Sequence, residues 1–213
     1  MGKLDKKDIR RREIVAAAQA VAAREGAEGA TLRAIAAEAG MAANAVLYYY
    51  GSHAEIIAAA LEAASARFLE KVAHAVEGEV GPTARLAAVI NAGTIADLED
   101  DVSRILYEYW PHSLRDPELR RIQAEFSSAQ QRIYREIIED GVRTGEFVAV
   151  IEPDKIARTL VAQEDGLVMD VLAGIVDGEY VLDLFGSLAA ALLGIEKADL
   201  MAYLQGRTVG VRD

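Results

Sequence analysis

Residues 26–61 read GAEGATLRAIAAEAGMAANAVLYYYGSHAEIIAAAL, and this stretch decides the fold. Apolar residues recur at steps of three and four on both sides of Gly40, which is the pattern of two short amphipathic helices joined by a turn. Thr31 can cap the first of these helices. Ala36 supplies the small residue that two closely crossing helices need where they touch. The stretch therefore predicts a helix-turn-helix.

The flanks of this stretch extend the same pattern. The inner faces of the two short helices are apolar and carry no charge, and they are formed by Ile35, Ala39, Met41, Val46 and Tyr49. An amphipathic helix precedes them, and Gly26 and Gly29 end it. Ser52 can cap the long helix that follows, over 52–77. The order predicts a three-helix head that leads into a long helix.

The rest of the chain also predicts helices and no strand. Its only β-like run, 147–151, is closed by Pro153 and is interpreted as a connector. Further helices are predicted at roughly 82–99, 102–113, 117–143, 153–177, 180–195 and 197–205. The fold class is therefore all-α. We expect a helix-turn-helix domain with a basic N-terminal arm over 1–53 and a larger helical domain over 54–213.

Charge is distributed unevenly along the chain. The net charge is −11, yet residues 1–53 hold 8 Lys and Arg against 6 Asp and Glu, while the remainder holds 15 against 28. A basic end on an acidic body favours DNA as the partner of that end, although charge also fluctuates in chains that bind no polyanion. The chain has no cysteine and no apolar run of signal-peptide or membrane-spanning character. A cytoplasmic protein is expected.

The whole order of residues 26–61 resembles the TetR family of dimeric regulators. The positions that match are Thr31, Gly40, Tyr49, Tyr50 and Ser52. Ala42 stands where the family usually has a small polar cap, and His53 stands where it usually has lysine. The resemblance implies a homodimeric repressor that binds a palindromic operator and is released by a small, largely apolar effector. It implies no cofactor.

A recognition helix enters the major groove with its N-terminal residues toward the base edges. Asn44 could pair with adenine, or it could act in a turn or cap. Arg33 could reach DNA or form a salt bridge at the surface. The predicted DNA contacts are Thr31, Arg33, Ala43, Asn44, Ala45, Tyr48, Tyr49 and His53. The basic arm could follow the DNA backbone or remain a solvated tail; it comprises Lys3, Lys6, Lys7, Arg10, Arg11 and Arg12.

The middle helices hold most of the remaining aromatic residues, with a few polar residues among them. Apolar walls with few polar groups describe a small-molecule pocket and equally an ordinary core. Because members of the resembled family sense ligands in this region, an effector pocket is expected here. Its candidates are Phe68, Asn91, Ile95, Leu106, Tyr107, Trp110, Phe126, Gln130, Gln163 and Leu167.

The last two long helices are candidates for the dimer contact. Each carries a wide apolar stripe, and 180–195 also carries the small residues Gly186, Ala190 and Gly194 at steps of four. Such a helix can pack on a partner, or both stripes can belong to the core of one chain. The predicted interface residues are Leu160, Val171, Val181, Leu184, Phe185, Leu188 and Leu192.

Two other classes of protein fit the sequence less well. An enzyme is not expected, because the chain has no glycine-rich phosphate loop, no metalloprotease motif and no nucleophile elbow. No metal site is expected either, since the three histidines, at 53, 74 and 112, lack metal-ligand spacing. The remaining alternative is a helical protein-interaction module without DNA binding.

Overall fold

The computed structural model describes residues 5–94 and 101–206, the side chains of 101–103 excepted. The described residues form helices and no strand, which confirms the all-α prediction. The helices are α1 (Lys6–Gly29), α2 (Leu32–Glu38), α3 (Ala43–Tyr49), α4 (His53–Glu77), α5 (Pro82–Thr94), α6 (Asp101–Glu108), α7 (Trp110–Ser113), α8 (Pro117–Thr144), α9 (Pro153–Leu172), α10 (Gly178–Leu193) and α11 (Lys197–Leu204). None of these helices is both long and apolar enough to cross a bilayer.

Three predicted boundaries differ from the observed ones. The helix predicted at 102–113 is divided into α6 and α7, with Tyr109 between them. The helix predicted to reach 177 ends at Leu172, and Gly174, at φ +70°, then turns the chain out of the helical path. The end of the helix predicted at 82–99 lies outside the described residues beyond Thr94.

The β-like run at 147–151 is a connector, as predicted, and it has a role in ending α10. The backbone N–H of Val148 donates to the carbonyl of Leu193 at 2.7 Å, and that of Val150 donates to the carbonyl of Leu192 at 3.0 Å. The last carbonyls of a helix have no partner within it. The extended connector therefore satisfies two of the carbonyls that α10 leaves open.

The described residues form two compact units. The first contains 5–68 and 101–126, and the second contains 69–94 and 127–206. These packing units do not follow the predicted cut after residue 53, because α6, α7 and the first part of α8 pack with the N-terminal helices. The division of the chain by function at residue 53 stays a prediction.

Each unit has its own apolar core, built where the helical period brings apolar residues onto one face. In the first unit α1 packs on α2, α3 and α6, and its buried side chains include Ile14, Val21, Ile35, Val46 and Ile56. In the second unit α5, α9, α10 and α11 pack together, and the buried side chains include Leu86, Ile90, Ile156, Leu160 and Phe185. Burying one such side chain contributes about 1.5–3 kcal/mol to folding.

Candidate nucleic-acid interface

The segment that decides the fold forms two short helices separated by a tight turn. The Thr31 side chain accepts a hydrogen bond from the backbone N–H of Ala34 at 3.2 Å and so caps α2. Gly40 has a φ of +64°, a conformation that favours glycine, and the N–H of Met41 closes the turn on the carbonyl of Ala36 at 2.8 Å. The predicted helix-turn-helix geometry is confirmed.

Helix α3 is anchored on one face and open on the other. Val46 is fully buried, while Tyr48 keeps 79% of its surface exposed and Asn44 is also exposed. Ala43 and Ala45 are half-buried at the start of the helix. No side chain caps α3 at Ala42. The residues predicted to contact DNA bases therefore lie on the open side or at the open end of α3.

Arg11 ties the start of α1 to the end of α3. Its guanidinium lies 4.3 Å from the centre of the Tyr50 ring, and its Nη1 donates to the carbonyl of Tyr49 at 3.4 Å. The Tyr50 hydroxyl donates in return to the carbonyl of Arg11 at 3.3 Å. Sequence reasoning placed Arg11 with the basic arm and missed this contact, since nothing in local spacing links residues 39 positions apart.

His53 begins α4 and bonds within the protein. Its Nε2 lies 2.6 Å from the carbonyl of Ala30, so this nitrogen carries the proton and donates it. The ring is half-buried. The predicted contact of His53 with a phosphate must therefore use the other ring nitrogen, Nδ1, which lacks a proton in the neutral ring and so has none to donate to a phosphate oxygen. His53 has an observed structural role in joining α4 to the loop before α2.

Two further side chains fix the start of α4. The Ser52 hydroxyl accepts from the N–H of Glu55 at 3.2 Å, and Glu55 accepts from the N–H of Gly51 at 3.1 Å. This reciprocal arrangement is a variant of the capping box. It confirms Ser52 as the cap.

The loop before α2 is held by two consecutive residues at the end of α6. Gly26 breaks the helical path of α1 at φ +75°. The N–H of Ala27 then donates to Glu108 at 3.4 Å, and the Tyr109 hydroxyl donates to the carbonyl of Ala27 at 3.5 Å. Burial, followed by the charge of Glu108, raises the pKa of Tyr109 to about 12, so the phenol stays a donor. These bonds replace helical ones and position the approach to the helix-turn-helix.

The predicted effector residues are divided between the two units. In the first unit Phe68 and Phe126 pack edge to face at 5.3 Å, Tyr107 and Trp110 stack at 6.3 Å, and Leu106 is buried. In the second unit lie Asn91, Gln130, Gln163 and Leu167. Ile95 lies outside the described residues. The effector pocket stays a prediction.

Two of the predicted polar lining residues bond to other parts of the second unit. The Asn91 side chain donates to the carbonyl of Leu204 at 3.2 Å, which fixes the end of α11 on α5. Gln130 donates to the carboxyl group of Glu164 at 3.0 Å. Gln163 is half-buried and Leu167 is buried.

Glu164 is the polar residue that sequence reasoning missed. It is only 2% exposed, and it also accepts a hydrogen bond from the Tyr134 hydroxyl at 2.6 Å. Burial raises its pKa to about 8. The period of α9 could have revealed it, since the apolar residues three and four positions away on each side are buried; they are Leu160, Val161, Leu167 and Val168.

Three predicted interface residues are wrong. Leu160, Val181 and Phe185 are completely buried inside the chain and leave no surface for a partner. The predicted small-residue stripe is occupied as well. A Cβ at Gly186 would lie 2.8 Å from the sulfur of Met201, and Ala190 and Gly194 also pack within the chain.

The other predicted interface residues keep exposed surface. Leu184 is 37% exposed, and Val171, Leu188 and Leu192 are not fully buried. Apolar neighbours that sequence reasoning did not select are more exposed: Met169 at 49%, Ile175 at 69% and Tyr180 at 54%. An apolar surface thus exists on α9, on α10 and on the turn between them.

Known families and proteins match both ends of this description. Residues 14–60 match the family described as bacterial regulatory proteins of the tetR type, and residues 82–194 match the C-terminal domain of BetI-type transcriptional repressors. The chain is 25% identical over 169 residues to the HTH-type transcriptional regulator YfiR of Bacillus subtilis, in an alignment that covers 78% of this chain and 82% of that one.

Solved structures share the fold. A TetR transcription regulator from Haloarcula marismortui superposes with a TM-score of 0.79 at 23% identity, over 87% of this chain and 99% of that one. A transcriptional regulator from Saccharomonospora viridis, solved in complex with choline, superposes with a TM-score of 0.74 at 22% identity, over 85% of this chain and 94% of that one.

Proposed function

Because the chain belongs to the TetR family of bacterial transcriptional regulators, we propose that it is a repressor that binds a palindromic operator as a homodimer and is released by a small effector. The chain is a DNA-binding regulator and not an enzyme. The observation that carries the proposal is the open face of α3, which is held in place by the buried Val46 and presents Asn44 and Tyr48 to solvent.

The residues at the start of α3 suit contacts with bases. An asparagine side chain can pair with the adjacent donor and acceptor of adenine in the major groove, and this is the role we propose for Asn44. The methyl groups of Ala43 and Ala45 can pack on the methyl group of thymine. Tyr48, which is 79% exposed, can reach the groove or the backbone beside it.

Phosphate contacts are proposed for residues around the turn. The cap at Thr31 leaves the first backbone N–H groups of α2 directed at a position where a phosphate can bind. Arg33 lies in the first turn of the same helix and is partly exposed. Tyr49 and His53 complete the proposed set, with His53 the weakest member because its Nε2 is already bonded to Ala30.

Two copies are needed for a palindromic site, because one helix-turn-helix reads few base pairs. The exposed apolar residues of the second unit support a symmetric contact between identical surfaces. We propose that the contact is formed by Met169, Val171, Ile175, Tyr180, Leu184, Leu188 and Leu192. The three completely buried residues are no longer included.

The proposed release requires an effector that favours a conformation with low affinity for DNA. A hundredfold loss of DNA affinity requires about 2.7 kcal/mol of difference in effector binding between the two conformations. The match of residues 82–194 to a BetI-type domain, and the choline complex of a protein with this fold, support a small-molecule site in this part of the chain.

A gel mobility shift with the DNA upstream of the protein's own coding sequence tests the proposal. We expect a saturable shift that survives excess unrelated DNA, and a loss of affinity of about tenfold or more in Asn44→Ala. Ser128→Ala, on the exposed side of α8, is the matched control and should bind like wild type. Equal binding by wild type and Asn44→Ala would contradict the proposed role of α3.

A further inference from the structure

Three helices of the second unit bring polar groups to one buried place. Glu164 of α9 accepts hydrogen bonds from Tyr134 at 2.6 Å and from Gln130 at 3.0 Å, both on α8. Gly93 of α5 lies against the same carboxyl group, since a Cβ on this glycine would come within 2.6 Å of it. The carboxyl group therefore occupies space that any other residue at position 93 would fill.

The hydrogen bonds at this place suit a carboxylate. The phenol of Tyr134 donates to Oε2, and the side-chain amide of Gln130 donates to Oε1, so each oxygen of Glu164 accepts. A neutral carboxylic acid would have to donate from one of these oxygens. A glutamine could take the same volume without the cost of burying an ionisable group. The donors are thus arranged for a negative charge.

The positive charge that should accompany a buried carboxylate does not come from the groups that act on Glu164. Burial and the neighbouring Asp165 raise its pKa, and Tyr134 and Gln130 lower it, so that the pKa is about 8. No cationic group is among these influences. Tyr134 on α8 and Asp165 on α9 are the titratable groups that face it, and α5 contributes Gly93. Among the described residues, α10 adds no titratable group to these contacts.

We infer that Glu164 is the counter-charge for a small organic cation, a protonated or quaternary amine, that binds beside it and displaces its proton. This inference rests on the proposed function only in assigning the site to the effector. Before binding, the carboxyl group holds a proton; on binding, the proton passes to solvent and the carboxylate pairs with the cation. Tyr134 and Gln130 already donate to both oxygens, so the hydrogen bonds need no rearrangement.

The chemistry of the site favours an organic cation over a metal ion. Calcium and magnesium require six or more oxygen ligands, of which several are commonly carboxylates. No group of three or more metal-ligating side chains occurs among the described residues. An amine needs only one negative partner, and a nearby aromatic ring strengthens its binding.

Titration calorimetry with choline and its uncharged isostere 3,3-dimethylbutan-1-ol tests the inference. We expect choline to bind at least tenfold more tightly than the isostere. At pH 7 a group with a pKa of about 8 is roughly nine-tenths protonated, so choline should release close to one proton. The release appears as a difference in observed heat between phosphate and Tris buffers. The isostere should release none.

Glu164→Gln should lose at least tenfold in choline affinity together with the proton release, while its affinity for the isostere stays unchanged. Glu136→Gln, on α8 outside this cluster, is the matched control and should bind choline like wild type. If Glu164→Gln does not fold, Tyr134→Phe keeps the carboxyl group and should weaken choline binding severalfold, and the wild-type comparison of the two ligands still decides.

Three results would overturn the inference: equal affinity for choline and the isostere, choline binding without proton release, or no binding of either choline or tetraethylammonium. The gel mobility shift is run on the same preparations. A protein that binds DNA but fails these tests refutes the cation site alone. A protein that binds choline with proton release but binds no DNA refutes the proposed function and leaves the cation site standing.

Discussion

The guanidinium of Arg11 lies 4.3 Å from the centre of the Tyr50 ring, and the Tyr50 hydroxyl donates back to the carbonyl of Arg11. A cation over an aromatic face at an exposed site contributes about 0.5–1 kcal/mol. The contact joins the first helix to the end of the recognition helix. An arginine that sequence reasoning assigned to a DNA-binding arm thus positions the residues that are proposed to face DNA.

Arg11→Ala should therefore weaken DNA binding through position rather than through charge. We expect a loss of affinity of about tenfold, with a slope of log affinity against log salt that stays within experimental error of wild type, because a lost phosphate contact would reduce that slope by about one. Arg12→Ala is the neighbouring control and should not lower the melting temperature. A reduced slope in Arg11→Ala would identify a phosphate contact instead.

His53→Lys should steepen the salt dependence. The imidazole Nε2 donates to Ala30, so the ring offers little to a phosphate, whereas a lysine ammonium carries a full charge at the start of α4. We expect the slope to increase by about one per subunit and the affinity at low salt to rise. His53→Gln, which can keep a donor toward Ala30 without the charge, is the control. An unchanged slope in His53→Lys would remove this position from the interface.

Leu184→Arg should separate the proposed dimer. This side chain is 37% exposed on α10, and burying an unpaired charge in an apolar contact costs several kcal/mol. Light scattering should show a monomer for Leu184→Arg and a dimer for Val142→Arg, which alters a similarly exposed apolar residue of α8. Phe185→Ala should instead lower stability by about 3–5 kcal/mol, since Phe185 is completely buried within the chain.

Glu164 should make stability depend on pH. Its pKa is about 8 in the folded protein and near 4.5 when the chain is unfolded. Between these values the folded state holds more protons than the unfolded state, so the free energy of unfolding falls as pH rises from about 4.5 to 8 and then levels off. The total change is on the order of a few kcal/mol. Urea unfolding at pH 5, 7 and 9 measures it.

Glu164→Gln should flatten this dependence, because an amide does not titrate in this range. Tyr134, whose pKa burial raises well above its usual value, does not ionise below pH 9 and therefore adds nothing to the slope. Parallel curves for wild type and Glu164→Gln would show that another group controls stability in this range.

The sequence predicted those parts of the protein that depend on neighbours in the chain. The turn at Gly40, the caps at Thr31 and Ser52 and the exposed face around Asn44 follow from spacing within a few residues. The bonds of Arg11, His53 and Glu108 join residues that are far apart in sequence, and no local pattern contains them. The interface failed in part for the same reason, since a stripe that buries Phe185 inside the chain looks the same as one that faces a partner.

Gly194 provides a last test of a feature that only the structure defines. It ends α10 at φ +63°, and a Cβ there would lie 2.8 Å from the carbonyl oxygen of Val148, on the connector that bonds to the end of this helix. Gly194→Ala should therefore lower the free energy of unfolding by more than about 1 kcal/mol, since both the conformation and the contact oppose a side chain. Gly166→Ala is the matched control, because Gly166 lies within α9 and a methyl group added there would meet open space. It should raise stability by about 0.5–1 kcal/mol. Thermal and urea unfolding of both variants would measure the difference, and equal stabilities would mean that the connector yields to the added carbon.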